Sequence, residues 1–230
     1  MTDASRAHSG HQRLAGLLIA GAALLEMVFI IHHPIAPRAQ GSISFRGIDA
    51  VMKANLAFHA MLMVIVMGQL LGLVLFARYL GLHRPIALAG VILSMLASIM
   101  LIVAMTFDGF VTYEMVSACS ATVEGCSHTV EAPLQVVTAA IQAFTKLGIG
   151  AQCLGFGALA LGMWDLGKWA RLPALICVAF VLGPILLILL RGQMGPSQLA
   201  EIVAFQAAWG ICVAVTLARG SLRDGSTEYP

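Results

Sequence analysis

Apolar residues gather in six runs, at residues 14–31, 56–80, 86–107, within 134–164, 173–190 and 199–217. Each run is bounded by proline, glycine or charge, as helices in hydrocarbon usually are. About 18 residues in an α-helix, rising 1.5 Å each, cross a hydrocarbon core of about 30 Å. The pattern predicts an all-α polytopic membrane protein, a bundle of six transmembrane helices. Residues 1–13 read as a flexible N-terminal tail, 14–218 as one transmembrane domain and 219–230 as a C-terminal tail. The first run is too long for a signal-peptide core and no small-residue cleavage site follows, so it reads as a retained span. A short interfacial helix is expected near residues 45–54, and Gly183-Pro184 should kink the fifth helix.

Composition supports lipid as the solvent. The 230 residues are 60% hydrophobic and 10% charged, with mean hydropathy +0.92. Soluble domains carry about 25% charged residues, so this chain could not cover a water-facing surface. The net charge of +2 comes from dispersed basic residues, which gives no footprint for nucleic acid. No GxSxG, HExxH, P-loop or dinucleotide fingerprint occurs. The glycine-rich stretch GIGAQCLGFGALALG at 148–162 reads as close helix packing. No inverted repeat relates the two halves, which weakens a transporter reading.

Charge also sets an expected orientation. Arg6, Arg13, Arg78, Arg84, Lys168, Arg171, Arg219 and Arg223 fall on one side, against Arg38, Arg46, Lys53 and Arg191 on the other. The excess marks the cytoplasmic side, so both termini should be cytoplasmic. The connection carrying Glu114, Glu124 and Glu131 then lies outside, where Cys119 and Cys126 should form a disulfide. The alternatives there are two free thiols or a metal clamp, which lacks nearby ligands beyond His128 and Glu124. Cys153, Cys177 and Cys212 lie within spans and read as small buried apolar residues.

The polar residues inside the runs are the candidates for chemistry. Positions seven apart return to within about 20° on a helix, so Glu26 and His33 share a face while His32 points elsewhere. Asn55, His59 and Met63 form a second stripe, and Ser94, Ser98, Met105 and Asp108 a third. Gln135, Thr138, Gln142, Lys146 and Cys153 line the fourth helix. On the sixth, Glu201, Phe205 and Cys212 share a face, with Gln206 and Trp209 on another. In the expected topology the ionisable residues concentrate in the outer half of the bundle. This predicts a periplasm-facing polar pocket lined by Glu26, His59, Asp108 and Lys146, with His33 at its rim. Its use would be to bind or sense a small ligand or ion, with proton coupling open to it.

Two other readings fit the same residues. His33 and His59 could be axial ligands of haem b, or with Glu26 could hold a metal ion, in a redox subunit. Glu26 and Lys146 could instead be a neutralising pair in a structural or accessory subunit that assembles with other membrane subunits. Methionine gives no copper signature, because Met95, Met100 and Met105 spread over different faces.

A family likeness enters at residues 55–110. A histidine near the start of a helix leads to LLGLVLFARYLG, a short basic turn, another apolar helix and then DGF. With His33-Pro34 closing the first helix, this resembles a loose group of uncharacterised six-helix bacterial inner-membrane proteins. The resemblance implies a bacterial inner membrane and carries no activity.

Overall fold

A computed structural model describes the backbone of residues 3–33, 38–39, 42–43, 48–120, 126–191 and 194–224. Side chains are described for 10–33, 50–118, 132–191 and 194–219. Helix α1 spans Asp3–Ile31 and α2 Ile48–Leu80. Helix α3, Pro85–Met105, widens into a π-helical turn at Thr106–Val111 and continues as α4, Thr112–Ser120. Helices α5, α6 and α7 span Cys126–Met163, Lys168–Leu190 and Pro196–Asp224. Two-residue strands, Arg38–Ala39 and Ser42–Ile43, pair antiparallel between α1 and α2.

Six of these helical stretches are long and apolar enough to cross a membrane. They coincide with the six apolar runs, but the helices are longer. Helix α1 already begins at Asp3, inside the stretch read as a tail. The expected interfacial helix is the opening of α2, because nothing from Ile48 onward breaks the helical pattern. Pro133 lies within α5, and α6 runs through Pro173 and Pro184 as one helix. The side chains of Cys119 and Cys126 lie outside the described residues. Among described residues, Cys153, Cys177 and Cys212 are free thiols.

The long helices form a closed ring, packing in the order α1, α2, α3, α5, α6, α7 and back to α1. The outer surface is apolar, with Leu17, Val64, Leu172 and Leu189 each largely exposed. Patches of this extent suit hydrocarbon far better than water. Inside the ring, the half nearer the Leu80 and Met163 ends is solidly packed. Trp209 stacks on Phe156 at 4.1 Å between centroids and meets Phe76 edge-on at 6.5 Å. Leu73, Leu80, Leu159 and Met163 complete that layer and are almost fully buried. At the same end, Arg84 bridges to Asp165 at 3.3 Å, tying the α2–α3 turn to the end of α5.

Above the aromatic layer, three amides cross the ring. Gln152 on α5 donates to Gln69 Oε1 on α2 at 2.8 Å, and Gln206 on α7 donates to Gln152 Oε1 at 2.9 Å. All three side chains are buried. Apolar packing alone leaves helix rotation loosely specified in hydrocarbon, and polar bonds of this kind help fix it.

Small residues let α3 and α5 approach closely. A Cβ at Gly155 would stand 2.7 Å from Ser94 Oγ and 3.0 Å from Gly90 O. Ser94 keeps its hydroxyl on this seam by donating to Gly90 O at 2.8 Å. Gly155→Ile should therefore push the helices apart and destabilise the bundle by about 1–3 kcal/mol. Thermal unfolding in a fixed detergent should show a lower midpoint for Gly155→Ile and a near-unchanged one for Gly150→Ala, where a Cβ meets nothing within 4 Å.

Candidate functional site

The packed half of the ring ends at the amides, and beyond them the interior opens into a cavity of about 200 Å³. Gln152 and Gln206 form its floor and Leu62, Val66, Leu101, Ile149 and Val203 much of its wall. Glu26, His33, His59 and Asp108 supply its ionisable groups, and among the described residues no Lys or Arg lines it.

Helix α1 contributes Glu26, and His33 follows two residues beyond its end; their seven-residue spacing brings both to the cavity. His32, next along the chain, is exposed, and its Nδ1 contacts Val28 O at 2.7 Å. Glu26 is 6% exposed, and its Oε1 has no hydrogen-bond partner. An unpartnered buried carboxyl group is costly whether charged or neutral, so it is uncommon in a settled core.

Helix α2 contributes His59, which is 4% exposed. Its Nδ1 lies 2.8 Å from Asn55 O. A carbonyl only accepts, so Nδ1 carries the hydrogen and Nε2 faces the other way. Nε2 meets Asp108 Oδ2 at 3.2 Å. The His33 ring stands edge-on to His59, at 5.3 Å between centroids and 80° between planes. Phe58 packs edge-on against both imidazoles.

Asp108 reaches this point because α3 does not end as an ordinary α-helix. The π turn over Thr106–Val111 re-aims TFDGFV, and such turns occur often at functional positions. Thr112 Oγ1 donates to Phe107 O at 2.9 Å, and Asn55 Nδ2 donates to Asp108 O at 3.1 Å. Gly109 is needed beside them: a Cβ there would sit 2.7 Å from His59 Cβ. His33, His59 and Asp108 thereby bring one potential ligand atom each within 4.8 Å of one another.

Helix α5 meets the cavity through Gln142, Thr145, Ile149 and Gln152. Gln142 makes a paired amide contact with Met194, donating to its O and accepting from its N, both at 2.8 Å. That contact fixes the approach to α7 beside the cavity mouth.

Of the pocket residues expected from sequence, Glu26, His33, His59 and Asp108 come together. Lys146 does not line the cavity, and Glu26 makes no ion pair among the described residues. The expected Glu26–Lys146 pair is thus absent: the inward face of α5 runs through Thr145 and Ile149, and Lys146 sits on its shoulder. Glu201 is exposed and takes no part. The amides Gln69 and Gln152 were not anticipated. Gln69 is the one glutamine of the second apolar run, and Gln152 lies ten residues beyond Gln142 in the fourth.

The imidazole geometry does not fit haem b. Two axial ligands must face each other across a macrocycle, whereas these rings meet edge-on with Phe58 against both.

The fold and site together define a class: a closed ring of six helices apolar enough to cross a membrane, enclosing a polar-tipped cavity. No protein-family model matches the chain, and no curated protein or solved structure shows significant similarity to it.

Proposed function

We propose that this chain is an integral protein of a bacterial inner membrane, with both termini cytoplasmic. Its cavity opens toward the periplasm and takes up a small ligand or ion. The observation that carries the reading is Glu26, a buried carboxyl group with an unpartnered oxygen, lining a cavity beside two histidines and an aspartate. Helix pairing explains the three-glutamine chain but gives Glu26 no partner, which speaks against a purely structural subunit. The volume, about 200 Å³, lies below the roughly 300–1,000 Å³ of sites for drug-sized ligands. It suits a compact solute or an ion with some of its water.

Access is testable with Thr145→Cys, which faces the cavity on α5. With the five native cysteines replaced by serine, a membrane-impermeant maleimide should label Thr145→Cys in intact cells, and a bulky residue at Ala104 across the cavity should slow that labelling at least about tenfold. Labelling only after the cytoplasmic face is exposed would overturn the orientation. Labelling from neither side would overturn the pocket.

A further inference from the structure

Two carboxylic side chains and two imidazoles line the cavity, and among the described residues no Lys or Arg joins them. A set of this kind favours a cation. The cluster at the mouth has a more specific requirement. His59 Nδ1–H is committed to Asn55 O, so a singly protonated ring turns the lone pair of Nε2 toward Asp108 Oδ2, 3.2 Å away. Two acceptors at that distance repel unless a proton on Nε2 or a bound cation lies between or beside them. His33 adds a third donor within 4.8 Å of the other two.

From this we infer that His33, His59 and Asp108 bind one divalent first-row transition-metal ion at the cavity mouth. The inference deepens the cavity reading and rests on it for access. Two imidazole nitrogens and one carboxylate oxygen suit zinc or iron(II) better than magnesium or calcium, which prefer all-oxygen sets. Ligand atoms about 2.0–2.2 Å from one ion lie roughly 3–3.5 Å from each other. The Nε2–Oδ2 separation of 3.2 Å already meets that. Only the His33 ring has to close in; it lies two residues beyond the end of α1, with its N–H donating to Ile30 O. Three protein ligands leave positions open toward the cavity, where water or a small solute would complete the shell.

The surroundings support ligation as well. The backbone carbonyl of Asn55 fixes the His59 tautomer, as outer partners of metal-bound histidines usually do. The Asn55 side chain holds the Asp108 backbone in the π turn, and Gly109 makes room for His59. The Asp108 side chain is 35% exposed, which gives the mouth an entry route, while the His59 side chain is buried and held by Asn55 O.

The test uses the full chain, purified in lipid nanodiscs, stripped with chelator and given Co²⁺ alone. One Co²⁺ per chain should bind with a visible d–d band, and Zn²⁺ should displace it. His33→Ala, His59→Ala and Asp108→Asn should each weaken binding by more than about 100-fold, beyond the 10–100-fold of outer-shell losses. His32→Ala should bind as the parent does. Asp108→Asn is near-isosteric, and its far-UV circular dichroism melt keeps the test valid if a histidine variant misfolds. No stoichiometric Co²⁺ in the parent, or parental affinity in Asp108→Asn or in a folded histidine variant, overturns the metal site. If Thr145→Cys is still labelled from outside in that event, the cavity stands and the metal assignment alone falls.

Discussion

The Glu26→Leu protein should be more stable than the parent, an unusual result for a substitution at a 94%-buried site (6% exposed). Glu26 Oε1 has no hydrogen-bond partner, so leucine removes a desolvation cost and loses no contact made by that oxygen. Unpaired buried polar groups cost about 1–3 kcal/mol in mutational series, which sets the expected gain. Glu26→Gln provides the contrast. It keeps the shape and polarity, still lacks a partner, and should change stability by less than about 1 kcal/mol. Unfolding in graded detergent mixtures reads both. If Glu26 held helices together through an undetected bond, leucine would destabilise by a similar amount and glutamine would partly rescue it. A gain with leucine means that the parent retains a costly carboxyl group for something other than folding, as stability–function trade-offs require.

Why some of this was legible in the sequence, and some not, follows from helix geometry. Six apolar runs were enough for the six long helices, because segments of that length and hydropathy have few alternatives in lipid. The spacing alone brings Glu26 and His33 together, since α1 is regular to Ile31 and the His33 N–H still donates to Ile30 O. Asp108 was expected in line with Ser94 and Ser98, and that line does not hold. Those serines face the seam with α5 and donate to Gly90 O and Ser94 O, while the π turn re-aims Asp108 toward α2. A fixed 100° per residue cannot anticipate a wider turn. Lys146 failed for another reason. The stripe 142, 146, 153 and the stripe 142, 145, 149, 152 are both acceptable faces of one helix, and packing on α3 and α6 selects the second. A charged residue drew attention to the wrong stripe. Gln69 and Gln152 carry no charge to mark them in the sequence, although a buried amide in a long apolar helix needs a partner as much as an acid does.

Those glutamines carry the other large effect. Gln152→Leu should destabilise the protein by about 2–4 kcal/mol, because it removes the middle of the chain joining α2, α5 and α7. It leaves Gln69 Oε1 and Gln206 Nε2 without those bonds at the buried floor of the cavity, and among the described residues Gln69 Nε2 is already unpartnered. Gln69→Leu, at one end of the chain, breaks a single bond and should cost about half as much. Replacing all three by leucine or methionine together should recover most of the loss, since no amide then remains buried and unpaired. The same triple variant should lose the cavity floor, and Thr145→Cys in that background should be labelled at an altered rate. Recovery of stability without recovery of a single defined packing, seen as a broadened unfolding transition, would assign the amides to register. Additive losses across the three variants would instead mean that each glutamine bonds elsewhere, against the geometry of the ring.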